Sequence, residues 1–238
     1  MPEGHTIHRA AQDQKPLFEG TKPTIIAPDG RYTKEAKKLS GKTITKIEPV
    51  GKHLFYHFDV RSPSILHVHL ALFGKLRVYK NIDKKPAPEP KGALRYRLST
   101  KTDALDLHGC RTADLKTEDE VAAVKARLGP DPLDPKADAE RVWKRISKSA
   151  APIGTLLMNQ EVVAGLGNIY RAEVLFRQQV HPLVRGKDVT REQFDAIWAD
   201  SVALLKIGVK YNKIITVSRE HAKEVHGKTF SRLGGRER

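Results

Sequence analysis

Hydrophobic and polar residues alternate in short runs through the first half of the chain. The runs are rich in β-branched and aromatic side chains, and Gly, Pro and Asp separate them, so each predicts a short strand. They lie at residues 43–47, 53–58, 65–70, 76–79 and 94–98. Together they predict an antiparallel sandwich or barrel within residues 24–107.

Helical spacing replaces this alternation at the N-terminus and beyond about residue 115. Residues 5–18 place apolar side chains at gaps of three and more, which predicts a short amphipathic helix. The further predicted helices are residues 118–128, 137–147, 153–160, 169–178 and 191–207. The last is the best defined, because Thr190 and Gln193 form a capping-box pair and Gly208 is expected to end it.

The Pro-rich stretch at residues 128–133 interrupts the helical pattern and indicates a connector between two domains. We therefore expect an α+β chain in which an N-terminal helix and an antiparallel β-sandwich precede a separate helical domain. The expected boundaries are 1–117 for the sandwich domain, 118–133 for the linker, 134–215 for the helical domain and 216–238 for a basic tail.

The charge balance points to the kind of partner. Lys and Arg number 43 against 28 Asp and Glu, a formal net charge of +15. This favours nucleic acid, although a generally basic, ribosome-like protein has the same balance. The single cysteine, Cys110, excludes an intrachain disulfide and a Cys-based zinc site formed by this chain alone. No apolar run reaches the ~18 residues that span a bilayer, so we expect a soluble, cytoplasmic protein.

The first residues, Met1-Pro2-Glu3-Gly4, carry the most specific candidate chemistry. Removal of Met1 would leave a prolyl secondary amine with a pKa of roughly 8, a nucleophile near neutral pH. Condensation with a sugar aldehyde, or displacement of a base from C1′, would give an iminium that acts as an electron sink. Glu3 could move the protons. A simpler interpretation stays open, since a small second residue also serves merely to permit removal of Met1.

Three further segments have both a functional and a structural interpretation. Lys52, at the predicted start of a strand, would neutralise a phosphate or assist proton transfer, or would be an ordinary exposed strand end. His69 shares one face with His67 in a strand that we expect to be half-buried. Leu72 and Phe73 fall on a predicted turn, where they would pack in the core or wedge between bases.

A glycine-rich stretch precedes one of the predicted helices. Gly165 and Gly167 would let the backbone approach a ligand, and Asn168 lies at the helix start. The backbone amides and Asn168 could together hold a phosphate. The structural alternative is that Asn168 is an ordinary N-cap.

Five segments of the sequence resemble, in order and spacing, those of the formamidopyrimidine-DNA glycosylase and endonuclease VIII family. They are Pro2-Glu3, Gly51-Lys52, His69-Leu70, Leu128-Gly129-Pro130 and Gly165-Leu166-Gly167-Asn168-Ile169-Tyr170-Arg171-Ala172-Glu173. The resemblance runs from Met1 to about Gly208. The start Met-Pro-Glu-Gly-His-Thr and the segment Gly51-Lys52-His53-Leu54-Phe55 are similar to the endonuclease VIII branch, in particular to its actinobacterial-type members.

The resemblance implies a bifunctional DNA glycosylase and abasic-site lyase of base-excision repair. Its partner would be damaged double-stranded DNA, with oxidised pyrimidines favoured. By resemblance, Pro2 is the nucleophile at C1′, Glu3 the general acid/base, and Lys52 a phosphate contact that supports base loss and strand cleavage. His69 and Asn168 would grip the DNA backbone, and Asn168 would belong to a helix-two-turns-helix motif.

The resemblance also implies residues that act as a wedge and a mechanism in which the damaged nucleotide is flipped out of the duplex. Leu72, with Phe73, matches the position that fills the void left by the extruded nucleotide. Flipping that nucleotide out of the stack costs a few kcal/mol, which wedge and backbone contacts offset. We expect a monomer that acts at the nucleoid and has no membrane partner.

The resemblance fails at the C-terminal end. Family members carry a zinc finger with four cysteines and a phosphate-clasping arginine, whereas this chain lacks those cysteines, so no metal or cofactor is expected. We expect truncation of the finger rather than its natural absence, and Arg232, Arg236 and Arg238 are expected to form a solvated basic tail. Two alternatives stay open, a lesion-binding DNA module with impaired catalysis and a basic RNA-associated structural protein.

Overall fold

The computed structural model describes residues 2–217, which form two compact units. The sandwich unit comprises Pro2 and Ala10–Ala126, and the helical unit comprises Glu3–Arg9 and residues 127–217. Helix α1 (Gly4–Phe18) thus begins in the helical unit and continues in the sandwich unit. Of the expected basic tail, residues 218–238 lie outside the described part of the chain.

Within residues 2–217, eight strands form two four-stranded antiparallel sheets. The strands are β1 (Thr24–Ile26), β2 (Ile44–Val50), β3 (His53–Phe58), β4 (Ile65–His69), β5 (Lys75–Lys80), β6 (Leu94–Ser99), β7 (Asp103–His108) and β8 (Thr112–Lys116). The strand orders are β1-β6-β7-β5 and β2-β3-β4-β8. The predicted α+β fold, with an N-terminal helix and an antiparallel β-sandwich, is confirmed.

Helix α1 has one buried face, which Ile7, Ala11, Gln14 and Phe18 form at spacings of three and four. Gln14 is polar but satisfied, because its Oε1 accepts a hydrogen bond of 2.6 Å from the hydroxyl of Tyr56. The predicted N-terminal helix is therefore anchored to the sandwich by a buried polar contact as well as by apolar packing.

Strand β4 is buried on both faces, so the expectation of a half-buried strand is wrong. All residues from 65 to 68 are buried, including His67. A helix that follows β8 covers the face that carries His67, and its Val121 packs against Phe55 and Ile65. Residues 118–127 form this helix, as the helix predicted at residues 118–128 within the expected linker requires.

The α-helices that follow α1 are α2 (Thr33–Leu39), α3 (Glu118–Arg127), α4 (Ala139–Ile146), α5 (Ile153–Met158), α6 (Asn168–Arg177) and α7 (Arg191–Tyr211). The last four share one core in the helical unit, which includes Tyr170, Val174, Phe194 and Leu204. The predicted capping box at the start of α7 is confirmed. Among the described residues, no helix has the length and apolar character needed to cross a membrane.

The prediction that Gly208 ends the last helix is wrong. Helix α7 continues to Tyr211, and the chain turns at Asn212, whose φ of +52° is left-handed. Gly208 lies inside the helix, where Tyr170 and His5 pack close to its backbone. A Cβ on Gly208 would lie 2.2 Å from the hydroxyl oxygen of Tyr170, so the missing side chain permits close packing.

Candidate active site

The carboxylate of Glu3 is bound by the N-terminus of α6. Glu3 is fully buried. Its Oε2 accepts a hydrogen bond of 2.8 Å from the Gly167 N–H, and its Oε1 accepts one of 3.0 Å from the Ile169 N–H. The first N–H groups of a helix have no intrahelical partner, and the helix dipole favours negative charge there. Two of the amides that the sequence suggested for a phosphate are therefore occupied by a carboxylate of the chain itself.

Two glycines let the N-terminal segment lie against this loop. A Cβ on Gly167 would lie 2.5 Å from Cδ of Glu3, and a Cβ on Gly4 would lie 2.9 Å from Cα of Gly165. Gly4 N–H also donates to the carbonyl oxygen of Gly165 at 2.8 Å. Both side-chain and main-chain hydrogen bonds therefore fix the position of Glu3 and Gly4 within the helical unit.

Asn168 is the first residue of α6, and Gly167 holds the N-cap position, so the N-cap alternative for Asn168 is wrong. The side chain of Asn168 is exposed, and its Oδ1 accepts a hydrogen bond from the guanidinium of Arg171. An exposed amide beside a guanidinium suits an anion such as a backbone phosphate.

Lys52 lies in the two-residue turn that joins β2 to β3, one position before the strand. Gly51, the first residue of this turn, has a φ of +56°, which glycine adopts readily in tight hairpins. The residue after the turn, His53, pairs with His69 of β4. Burial, and then the charges of Arg111 and Lys52, lower the pKa of His69. The hairpin thus places the charge of Lys52 near His69.

Arg111 is a further cation at this end of the sheet, and the sequence did not predict it. Its backbone N–H donates to the carbonyl oxygen of His69 at 3.0 Å, and its side chain is exposed. The proximity arises from the pairing of β4 with β8, where His69 lies opposite Thr112. A single arginine distant in sequence from His69 gives no local signal of such a contact.

The turn after β4, here called the apolar turn, exposes Leu72 and Phe73. Leu72 is 57% exposed and Phe73 is 83% exposed. Gly74 closes the turn by donating its N–H to the carbonyl oxygen of Leu70 at 3.0 Å. Because both large side chains lie in solvent, the alternative of core packing is wrong. Exposed apolar side chains on a closed turn suit stacking against, or insertion between, planar groups.

The predicted site residues fall into two groups. Glu3 and Asn168 meet at the N-terminus of α6 in the helical unit. Lys52 and His69 meet at one end of β3 and β4 in the sandwich unit, where the apolar turn follows. Pro2 is half-buried, belongs to the sandwich unit and directly precedes Glu3 in the chain.

Two buried polar side chains of the helical unit were also not predicted. His5 is 4% exposed and Tyr170 is fully buried, and neither His5 Nδ1 nor the Tyr170 hydroxyl has a hydrogen-bond partner. Their rings meet edge-on with centroids 5.3 Å apart. Burial lowers the pKa of His5 to about 4, whereas burial and then the charge of Glu3 raise the pKa of Tyr170. Both side chains are therefore neutral at neutral pH.

The residues of this chain do not fit the zinc finger that the resemblance implies. Among residues 2–217, no group of three or more His, Cys, Asp or Glu side chains is placed to hold a metal ion. Cys110 is buried, and burial raises the pKa of its thiol to about 12, which disfavours the thiolate that zinc requires. Arg232, Arg236 and Arg238 lie outside the described residues.

Comparison with known proteins matches both halves of the chain. The model of the formamidopyrimidine-DNA glycosylase N-terminal domain matches residues 1–116, and that of the formamidopyrimidine-DNA glycosylase H2TH domain matches residues 128–220. Endonuclease 8 1 of Mycobacterium tuberculosis is 42% identical over 221 residues, which are 93% of this chain and 82% of the relative. Endonuclease 8 of Klebsiella pneumoniae is 28% identical over 242 residues, which are 99% of this chain and 90% of the relative.

A solved structure with the same architecture contains DNA. The complex between the Lactococcus lactis Fpg and an abasic site containing DNA has a TM-score of 0.73 and 26% sequence identity. The match covers 88% of this chain and 79% of that chain.

Proposed function

This chain belongs to the formamidopyrimidine-DNA glycosylase and endonuclease VIII family, and from that premise we propose that it excises oxidised bases, with pyrimidines preferred, through an imine on the amine of Pro2. It is a DNA glycosylase and abasic-site lyase of the endonuclease VIII type, and damaged DNA is its partner. The pair of backbone hydrogen bonds that fixes the carboxylate of Glu3, next to Pro2 in the chain, carries the proposal.

The chemistry begins once Met1 is removed. The lone pair of the prolyl nitrogen attacks C1′ of the damaged nucleotide, and the base leaves with the electron pair of its bond and takes up a proton. Glu3, as a carboxylate, takes the proton that the prolyl nitrogen loses after its attack and passes it to the ring oxygen O4′, so that the sugar opens and the nitrogen becomes an iminium. Loss of a proton from C2′ moves an electron pair into the iminium. The resulting enamine expels the 3′ phosphate, and water hydrolyses the remaining imine.

The DNA backbone would be held by both groups of site residues. Lys52 and His69 would contact phosphates at the end of β3 and β4, and Asn168 would contact one at the start of α6. Leu72 and Phe73 of the apolar turn would fill the space of the flipped nucleotide. The net charge of +15 supplies non-specific affinity for the duplex.

Trapping of the imine tests the role of Pro2. The chain is incubated with a duplex that contains one abasic site in the presence of sodium borohydride, which reduces the imine to a stable amine. The wild-type chain should form a covalent protein–DNA adduct, whereas Pro2→Thr and a form that retains Met1 should form none. Pro88→Thr, a change of the same kind in an exposed loop, should still form it. A persistent adduct with Pro2→Thr would overturn the assignment.

The same duplex tests the remaining expectations. Strand cleavage of this duplex would identify an enzyme, whereas a DNA-binding module with impaired catalysis would bind the duplex and leave the strand intact.

We propose further that the chain acts as a monomer at the nucleoid and needs no metal. Cleavage should therefore persist in a chelator, and light scattering should give the mass of one chain. Loss of activity in a chelator would contradict this part of the proposal.

A further inference from the structure

Four rings form a patch on one face of β3 and β4. His53 and Phe55 of β3 pair in register with His69 and His67 of β4. The ring centroids are 4.8 Å apart for His53 and His69, 5.0 Å for His53 and His67, and 4.7 Å for Phe55 and His67. Val121 of α3 covers the Phe55 end, whereas His53 and His69 are only half-buried. The patch therefore extends from the core to the strand end where the hairpin turn lies.

A hydrogen bond of 2.8 Å joins Nδ1 of His53 to Nε2 of His67, and burial decides its direction. His67 is 4% exposed, and its Nδ1 has no hydrogen-bond partner. Burial, and then the charge of Lys116, lower the pKa of His67 to about 4, so its ring carries a single proton at neutral pH. Were His53 the donor, that proton would sit on Nδ1 of His67 as a buried, unsatisfied N–H. An unpaired lone pair costs less, so His67 donates from Nε2.

The state of His53 follows from this direction. A neutral imidazole carries one proton, and a ring that accepts at Nδ1 must carry its proton on Nε2. His53 therefore has an Nε2–H donor on a ring that packs against His69 and directly follows Lys52 in the chain. Such a donor can serve a phosphate oxygen.

We propose that His53 is a further DNA-binding residue that donates its Nε2–H to a backbone phosphate, and that His67 is a positioning residue that fixes the tautomer of His53. The proposal rests on the proposed function, because it needs DNA at the end of β3 and β4. Lys52 contributes a flexible charge there, and His53 adds a donor whose direction the sheet fixes.

The tautomers can be read without DNA. Long-range proton–nitrogen spectra of the full chain at neutral pH should show both His53 and His67 protonated on Nε2. His67→Phe keeps an aromatic ring in the patch but removes the donor, so His53 should lose its fixed tautomer. His67→Gln keeps a side-chain N–H donor, so His53 should retain it. A proton on Nδ1 of His67 in the wild-type chain would overturn the positioning role.

Affinity for a duplex with one tetrahydrofuran residue, which cannot be cleaved, tests the contact with DNA. His53→Phe and His67→Phe should each weaken binding about 10-fold, the loss expected for a hydrogen bond to a charged phosphate. If His67 acts through His53, the double variant should bind no more weakly than His53→Phe alone. His67→Gln should bind like the wild type. His57→Phe should also do so, because His57 lies at the other end of β3, where it bonds to Glu48.

The outcomes separate this proposal from the proposed function. Wild-type affinity in His53→Phe, in a chain that still forms the borohydride adduct, would overturn the contact and leave the enzyme assignment intact. Multiplying losses in the double variant would overturn the positioning role of His67. A wild-type chain that neither binds nor is trapped would remove the proposed function and this DNA contact together, and the spectra would still decide the role of His67.

Discussion

The backbone of Gly167 and the carboxylate of Glu3 are in direct contact across a sequence separation of more than half the chain. The N–H of Gly167 donates to Oε2 of Glu3 at 2.8 Å. A Cβ on Gly167 would lie 2.5 Å from Cδ of the same side chain, so no side chain fits between them. Gly167, in the loop before α6, therefore sets the position of the carboxylate of Glu3, the proposed general acid.

Gly167→Ala is expected to push the carboxylate of Glu3 away from the N-terminus of α6. Base excision in single-turnover assays should slow by ~10-fold or more, because positioned acid–base groups contribute ~10²- to 10⁴-fold. Affinity for uncleavable abasic DNA should change little. Gly92→Ala serves as the control, since Gly92 has a left-handed φ but open space around it. Unchanged excision in Gly167→Ala would argue against a catalytic role for the observed Glu3 position.

Phe73→Ala in the apolar turn should separate function from stability. Phe73 is 83% exposed, so its removal should leave the free energy of unfolding unchanged. Excision of a base from a duplex should fall about 10-fold, because stabilising the flipped nucleotide requires a wedge. Phe176→Ala is the matched control, because Phe176 is 81% exposed but lies in α6. Equal losses for the two variants would contradict a specific wedge.

The salt dependence of DNA binding should reveal the phosphate contact of Lys52. A contact to one phosphate contributes about 0.9 to the slope of log K against log salt concentration. Lys52→Met should lower the slope by about this amount and weaken binding to all sequences alike. Lys101→Met, at an exposed bend between β6 and β7, should leave the slope near the wild-type value. A slope that is unaltered in Lys52→Met would exclude this contact.

The free energy of unfolding should decrease as the pH falls below about 6.5, because the native state keeps the buried ring of His5 unprotonated down to a pH of about 4. Burial lowers the pKa of His5 from 6.5 to about 4, so the unfolded chain binds the proton first as pH falls through this range. Over the whole of this range the free energy of unfolding therefore decreases by about 3 kcal/mol for this group. His5→Gln should flatten the pH dependence of urea unfolding between neutral pH and roughly pH 5, whereas His181→Gln, at an exposed position, should not. An identical pH dependence in His5→Gln would contradict the lowered pKa.

Local sequence patterns predicted the elements whose two faces differ. Strand β5 and the capped start of α7 were predicted because alternation and capping are local signals. Strand β7 was missed because residues 104–107 are all buried and show no alternation. Its Asp106 is buried as the partner of Arg97 on β6, at 2.6 and 2.7 Å, and a charged residue in a buried run hides the strand.

The site could be predicted only as far as its motifs are local. The short N-terminal motif identified Glu3, but nothing near it in the sequence indicates that its carboxylate binds the start of α6. The sequence predicts a helix stop at Gly208 because the long-range contacts of this residue with His5 and Tyr170 leave no local signal. The sequence predicts a half-buried strand around His67 because the residues of α3 that cover it lie about 50 positions further along the chain.

The hydrogen bond from Gly4 N–H to the Gly165 carbonyl fixes the spacing at the very start of the polypeptide. A cleaved purification tag can leave an extra residue before Pro2. The N-terminal segment cannot shift by one residue to accommodate it, because hydrogen bonds fix the positions of Glu3 and Gly4. The extra residue would shift the terminal nitrogen by about 3.8 Å, one backbone step. Recombinant preparations should therefore carry their tag at the other end, and mass spectrometry of the processed terminus should report which fraction of the molecules can react.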